Sequence, residues 1–207
     1  MLTRIFDPII VVPPKEKIYS RLGYAKNITS LNKDGKKNIE SLIEEAVSLV
    51  ELKGAAARYK IEKKSTNIIQ VSEAYSFRSA ALFEFLKDAD EIILMAATAG
   101  NRIIDRIKKD TSDHLNKVVV FDAVASELAD QALYWVQDLY AGELKRENRI
   151  LTKNRFSAGY ADFLLKEQKK IFDLLELNKI GLSITESFIL IPEKSVTAVS
   201  GIEMVKK

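Results

Sequence analysis

Cysteine is absent from the chain, and histidine occurs once, as His114. Without cysteine there is no disulfide framework, no thiolate nucleophile and no cysteine-containing zinc or iron–sulfur site. A Ser-His-Asp triad would have to use His114, and no glycine-flanked nucleophile serine accompanies it. We interpret His114 as a surface residue or a residue of a helix N-terminus. The lack of cysteine suits a reducing compartment, so we expect a cytoplasmic protein.

The chain also lacks long hydrophobic runs and a strong excess of either charge. Its 32 Lys and Arg and 29 Asp and Glu leave a net charge of +3 and are mixed along the sequence, whereas nucleic-acid binders concentrate basic residues on one face. The first ten residues include Arg4 and Asp7 and resemble neither a signal peptide nor a membrane span. We therefore expect a soluble protein that binds neither nucleic acid nor membrane. With 47% hydrophobic residues, one domain over residues 1–207 is predicted.

Hydrophobic spacing divides the chain into an arm, several helices and several strands. Residues 1–34 contain three of the four prolines, which predicts an extended arm around the core with a short helix near residues 16–22. Apolar residues at helical spacing predict amphipathic helices over residues 36–50, 113–139 and 163–177, the second being the longest. Gly54 is the expected terminator of the first of these helices. The sequence also predicts a helix over residues 79–87 and strands over residues 57–61, 67–71 and 91–97.

Two β-rich stretches, residues 186–191 and 196–205, close the chain. Pro192, Glu193, Lys194 and Ser195 lie between them and have the composition of a tight turn, so we predict a hairpin. Helices and strands alternate without a regular βαβ rhythm. This arrangement favours an α+β fold with an antiparallel sheet.

Two weaker candidate sites have simpler interpretations. Asp122, Glu127 and Asp130 lie on the longest predicted helix, but their spacing spreads them over more than one face, so most are interpreted as solvated or paired rather than as magnesium ligands. The stretch from Thr98 through Gly100 follows an apolar strand and precedes a helix, a geometry that can present backbone N–H groups to an anion. It lacks the glycines and lysine of a P-loop, so a simple strand-to-helix turn is favoured.

Residues 155–162, Arg-Phe-Ser-Ala-Gly-Tyr-Ala-Asp, form the most informative stretch. Arg155 offers a planar fork for a carboxylate, Gly159 allows close approach to the backbone, and Tyr160 adds a flat face with a polar tip. A nucleoside that carries an amino acid needs these groups. Taken alone, an ordinary loop with Asp162 as the N-cap of the following helix is an equally good interpretation.

Two blocks of this sequence resemble a known family, the S-adenosylmethionine-binding activation domain of cobalamin-dependent methionine synthase. Arg155, Gly159 and Tyr160 match its Arg-x-x-x-Gly-Tyr signature. The run Thr185-Glu186-Ser187-Phe188, followed by Pro192 and Ser195-Val196, is similar to the block that follows the signature in the family. Three weaker stretches resemble the short, stand-alone members of the family: Arg21-Leu22-Gly23-Tyr24, Thr98-Ala99-Gly100 and residues 122–127. The resemblance therefore extends over nearly the whole chain.

The resemblance implies a C-shaped α+β domain with a twisted antiparallel sheet flanked by helices. It implies an accessory protein that binds S-adenosylmethionine and supports reductive reactivation of cob(II)alamin on a separate methionine synthase chain, with flavodoxin or a similar electron donor. By the same resemblance Arg155 holds the methionyl carboxylate, Ala158, Gly159 and Tyr160 line the ligand, and Asp130 is a partner for the ribose or the amino group. Cobalamin belongs to the partner, because this chain has no Asp-x-His-x-x-Gly motif.

Two other functions stay open as alternatives. The larger family members continue with a Tyr-Tyr-containing stretch beyond the position of Gly201 and use an N-terminal aspartate that has no match here. A corrinoid-protein interaction module that has lost S-adenosylmethionine binding is therefore the main alternative. An autonomous methyltransferase is disfavoured, because the sequence has no glycine-rich strand-to-helix loop followed by an acidic residue.

Overall fold

The computed structural model describes residues 2–24, 32–112 and 114–205. Within these ranges the helices are α1 (Lys15–Arg21), α2 (Lys33–Leu49), α3 (Ala80–Phe85), α4 (Asn101–Asp110), α5 (Leu115–Lys145) and α6 (Gln168–Leu174). The strands are β1 (Arg4–Phe6), β2 (Lys53–Lys60), β3 (Lys63–Ser65), β4 (Ile68–Gln70), β5 (Ser76–Arg78), β6 (Glu91–Thr98), β7 (Arg149–Leu151), β8 (Ser183–Ile184), β9 (Leu190–Ile191) and β10 (Ser195–Met204). Short 3₁₀ helices cover Leu165–Glu167 and Leu177–Ile180.

The main sheet has five strands in the order β1-β2-β6-β10-β7, and every neighbouring pair is antiparallel. At its centre Met95 of β6 lies between Ala56 of β2 and Ala198 of β10. The β3-β4-β5 sheet and the β8-β9 pair are also antiparallel. The predicted α+β fold with an antiparallel sheet is confirmed.

Strand β6 is buried at all of its positions because packed elements cover both faces of the sheet. Its side chains alternate between the faces, as those of any strand must. Ile93 and Met95 belong to a core shared with α2, α4 and α5, while Ile92 and Leu94 belong to a second core with α3 and α6. The sheet is therefore the middle layer between two hydrophobic cores.

Helix α5 is the longest of the described helices, as predicted, and its buried face supplies much of the first core. It continues to Lys145, about two turns beyond the predicted end. Gly142 does not end it, because Leu144 in the last turn is buried against the core. The predicted start, residue 113, lies outside the described residues. In the described part of the chain, no helix combines the length and apolar character that a membrane crossing requires.

The N-terminal arm contacts the sheet and α5, and its predicted short helix is confirmed as α1. Strand β1 pairs with β2 as an edge strand, and the N–H of Ile9 donates to the carbonyl of Leu52. Ile18 of α1 is fully buried, and Arg21 forms an ion pair with Glu127 of α5 at 2.7 Å. The end of the predicted arm falls partly on residues 25–31, which are outside the described residues, and Lys33 already belongs to α2.

Two predictions about chain turns are wrong. Gly54 does not follow a helix, because α2 ends at Leu49 and Gly54 lies in β2, where an added Cβ would come within 2.9 Å of Ile9 Cδ1. The closing stretches do not form a hairpin with each other. Strand β9 pairs with β8, whereas β10 pairs along its length with β6 and also with β7, partners that are distant in sequence and offer a longer ladder.

The helix predicted over residues 163–177 is interrupted. Phe163 forms an isolated β-bridge with Tyr160, a 3₁₀ helix follows at Leu165–Glu167, and α6 itself ends at Leu174. Glu176 then adopts a left-handed conformation with φ of 50° before the second 3₁₀ helix. The apolar residues of this segment are nevertheless buried in the second core, as their spacing predicts: Phe163, Ile171, Leu175 and Leu177.

Candidate functional site

A cavity of about 680 Å³ lies between the loop of residues 152–162, α5 and the first residues of β10. Four of the five residues that the sequence nominated line it: Asp130, Arg155, Ala158 and Tyr160. The fifth, Gly159, lies between two of them in the loop. The fold thus brings Asp130 of α5 together with Arg155, which lies 25 residues later in the chain.

The loop is attached to β10 at Phe156. The N–H and carbonyl of Phe156 exchange hydrogen bonds with Val199 at 2.8 and 2.7 Å, and the Ser157 hydroxyl donates to the Thr197 carbonyl at 2.8 Å. The Phe156 ring also packs against Phe85 and Phe163. These contacts fix the backbone immediately after Arg155, so the guanidinium is presented from a firmly attached part of the loop.

Gly159 allows the loop to turn back sharply after Ala158. Its φ of +96° lies in a region that other residues rarely adopt. The N–H of Gly159 donates to the carbonyl of Phe163 at 2.7 Å, and the N–H of Phe163 donates to the carbonyl of Tyr160 at 2.9 Å. Phe163 is fully buried, whereas Tyr160 is 69% exposed at the cavity rim. The tyrosine ring is therefore free to cover a ligand.

Arg155 has unusual surroundings for a charged residue. Its side chain is only 15% exposed, and its Nη2 lies 3.4 Å from Oδ1 of Asp130, longer than a strong charge-assisted hydrogen bond. Its Nη1 is buried and has no hydrogen-bond partner. A buried donor without a partner is uncommon in folded proteins. This edge of the guanidinium is chemically suited to receive a carboxylate or another anion.

The second sequence block reaches the cavity directly through Ser195 and Val196, and its Phe188 is connected to the cavity wall through Gln168. The Thr197 hydroxyl in the cavity wall donates to Oε1 of Gln168 at 3.0 Å, and Nε2 of Gln168 donates to the carbonyl of Phe188 at 2.9 Å. Phe188 has φ of 65° in a turn closed by Thr185. Gln168 was missed as a site residue, although its place as a polar residue on an apolar helix face was a usable signal.

Asp162 does not cap the helix that follows it, so that interpretation is wrong. Its carboxylate accepts hydrogen bonds from the Ser79 hydroxyl and from the N–H groups of Ala80 and Ala81, at the N-terminus of α3. The bond from Ser79, followed by the two backbone bonds, lowers the pKa of Asp162. The other end of α3 is held by Lys64, whose Nζ donates to three backbone carbonyls at 2.7–2.8 Å.

The remaining candidates occupy structural positions away from Arg155. His114 is exposed at the start of α5. Asp122 pairs with Lys194 at 2.7 Å, and Glu127 pairs with Arg21. Gly100 is the N-cap residue of α4, with φ of 81°, in a strand-to-helix turn as favoured from the sequence. Among the described residues, no group of three or more His, Asp or Glu is arranged to hold a metal ion.

Comparison with known proteins shows which solved structure shares this fold. No protein-family model matches the sequence, and no curated protein is significantly similar to it. The crystal structure of the MetH reactivation domain bound to AdoHcy aligns with a TM-score of 0.65 and 18% sequence identity, over 100% of this chain and 80% of that chain. The chain has the fold of that domain. The resemblance that the two sequence blocks indicated is confirmed at the level of the fold.

Proposed function

We propose that this protein binds S-adenosylmethionine in the cavity beside Arg155 and supports reactivation of a cobalamin-dependent methionine synthase on a separate chain. The observation that carries the proposal is the buried, unpartnered Nη1 of Arg155 at a cavity of about 680 Å³. That volume lies in the usual range for small-molecule sites. AdoHcy, which the solved domain of the same fold binds, is S-adenosylmethionine without its methyl group.

The residues of the cavity suit such a ligand. Arg155 pairs with the methionyl carboxylate through its free edge, and Asp130, which is 44% exposed, receives the ammonium group. Ala158 and Gly159 allow the ligand close to the backbone, and Tyr160 covers it with an exposed ring. The site thus combines both charges of an amino acid with a flat apolar cover.

The proposal requires partners that this chain does not supply. S-adenosylmethionine provides the methyl group that restores methylcobalamin, cobalamin is carried by the methionine synthase chain, and flavodoxin or a similar donor gives the electron. The role of this chain is to hold the ligand with Arg155 and Asp130 while the partner's corrinoid approaches the cavity. A cytoplasmic location belongs to the same proposal and agrees with the absence of cysteine.

Calorimetric titration of the chain with S-adenosylmethionine tests the binding step. We expect one site per chain, and competition by S-adenosylhomocysteine. A chain that keeps its fold but binds neither compound would favour the alternative, an interaction module for a corrinoid protein that has lost ligand binding.

A reactivation assay tests the function itself. Cob(II)alamin-inactivated methionine synthase is mixed with an electron donor and S-adenosylmethionine, with and without this chain, and methylcobalamin formation is followed by its visible spectrum. We expect a faster return to methylcobalamin when the chain is present. No acceleration at any concentration, in an assay where a fused activation domain works, would reject the accessory role.

A further inference from the structure

Two residues of α5, one turn apart, surround the guanidinium of Arg155. Asp130 and Tyr134 are four positions apart and therefore share a helix face. Oδ1 of Asp130 lies at one edge of the guanidinium, 3.4 Å from Nη2. The Tyr134 ring lies against it, with Cζ of Arg155 4.0 Å from the ring centroid. This distance is well within the range of a cation–π interaction.

A ring 4.0 Å from Cζ restricts how the Arg155 guanidinium can turn, and therefore where its hydrogen-bond donors can point. A guanidinium is planar and donates only in its own plane, so a group packed on the planar face limits its tilt and leaves the edges free. Arginine otherwise has a long, flexible side chain. Without the ring, the Arg155 guanidinium could turn towards the half-exposed Asp130 carboxylate and form a closer pair. The buried, unpartnered Nη1 would then no longer be available to a ligand.

The same ring also contacts the N-terminal arm. Nζ of Lys17, on α1, lies 4.7 Å from the centroid of the Tyr134 ring. Tyr134 is 38% exposed, so it contributes little to the hydrophobic core. Two cations against one partly exposed ring fit a residue that organises the charges near a binding site better than one that fills space.

We propose that Tyr134 positions Arg155, so that the site selects nucleoside ligands that carry a free amino-acid carboxylate. The inference rests on the proposed function and adds a positioning residue and a basis for specificity to it. Tyr134 acts through Arg155 and has no contact with the ligand in this proposal. Its removal should therefore affect the recognition of the carboxylate and leave the recognition of the nucleoside unchanged.

The test compares two variants with two ligands. Tyr134→Leu removes the aromatic face, whereas Tyr134→Phe keeps it and serves as the matched control. The ligands are S-adenosylmethionine and decarboxylated S-adenosylmethionine, which differ by the carboxylate. We expect Tyr134→Leu to weaken binding of S-adenosylmethionine about 3- to 30-fold, the range of a cation–π interaction. Tyr134→Phe should stay within about twofold for both ligands. Tyr134→Leu should weaken the decarboxylated ligand much less than S-adenosylmethionine, because that ligand has no carboxylate for Arg155 and keeps only its amino group for Asp130.

Three results would contradict the inference. Equal weakening of both ligands by Tyr134→Leu would indicate a general structural role, and equal weakening by both variants would indicate a role of the hydroxyl. Unchanged binding by Tyr134→Leu would remove the residue from the site. In all three cases the wild-type chain binds S-adenosylmethionine, so the binding step of the proposed function stands. A folded wild-type chain that binds neither ligand would reject the proposed function and this inference together.

Discussion

Arg155 combines burial, positive charge and a free donor, and these properties predict the effect of its removal. Arg155→Ala should weaken S-adenosylmethionine binding about 10- to 150-fold, because a charge-assisted contact to a carboxylate contributes about 1.5–3 kcal/mol. Arg155→Lys should restore only part of the affinity, since an ammonium lacks the planar fork. Calorimetric titration measures both. Equal affinity for all three proteins, with intact circular dichroism, would remove Arg155 from the site.

Gly201 is a residue whose importance lies in packing. An added Cβ would lie 2.9 Å from both Ala89 Cβ and Thr152 Cγ2. Gly201→Ala should therefore destabilise the fold by about 1–3 kcal/mol through overpacking, measured by urea unfolding. The control is Gly142→Ala in α5, where the new Cβ meets nothing within 4 Å. That change should stabilise the chain by about 0.5–1 kcal/mol, and the reverse order of the two variants would contradict the packing argument.

The candidate site residues were predicted from one short stretch and, for Asp130 of α5, from the family resemblance alone. Arg155, Ala158, Gly159 and Tyr160 are nearly adjacent in sequence, and the structure places them at or beside one cavity. Tyr134 was not predicted, because its contact with Arg155 joins a helix to a loop 21 residues away, and nothing in the local sequence records such a contact.

At the scale of elements, a cluster of charges connects three strands of the main sheet. Glu91 of β6 accepts hydrogen bonds from Arg58 of β2 and from Arg149 of β7, the latter at 2.6 Å. Arg58 also pairs with Glu147 at 2.8 Å, near the surface. Burial alone raises the pKa of Glu91, but the hydrogen bond and charge of Arg58, with those of Arg149, lower it overall from 4.5.

Glu91→Gln should destabilise the chain by about 3 kcal/mol at pH 7, because two largely buried guanidinium groups lose their shared carboxylate. Since the pKa of Glu91 is lower in the folded state, its stabilisation is present above about pH 4.5 and is lost as the pH falls through the folded-state value. The variant should thus show a weaker loss of stability in acid, measured by urea unfolding at a series of pH values.

The matched control for Glu91 is Glu147→Gln, which removes only an exposed partner of Arg58. Its effect should stay below about 1 kcal/mol. If both variants lost the same stability at pH 7, burial of the Glu91 carboxylate would not explain its importance.

The predictions of helices and strands were right where local hydrophobic periodicity determines the element. They were wrong where strand pairing with a distant part of the chain determines it. Helices α2 and α5 follow their apolar spacing, and β6 was found from its continuous apolar run. The hairpin failed because turn composition says nothing about a competing strand, and β10 finds an eight-residue register with β6, about a hundred residues earlier.

At the scale of the whole molecule, the contacts of the arm predict that it unfolds together with the core. Ile18 of α1 is fully buried against α5 and the first core. Ile18→Ala should therefore lower stability by about 2–5 kcal/mol. Val12→Ala, at an exposed arm position, should stay within about 0.5 kcal/mol.

The one-domain prediction is tested in the same experiment. Circular dichroism and the fluorescence of Trp135, the single tryptophan, should report one coincident unfolding transition for each protein. Trp135 packs against Phe6 of the arm at 5.4 Å between ring centroids, so its signal reports arm docking directly. A separate early transition in Ile18→Ala, seen only in fluorescence, would show that the arm is an independent unit.

Helix α3, held at one end by Lys64 and at the other by Asp162, has a consequence for the order of folding. A helix of six residues has too few internal hydrogen bonds to be stable alone, and charges at its two ends complement its dipole. Asp162 lies 82 residues after Ala80. On a translating ribosome the α3 segment therefore emerges well before the carboxylate that completes it. We expect α3 to become stably helical late in folding, only after the loop beside the cavity has brought Asp162 to its N-terminus.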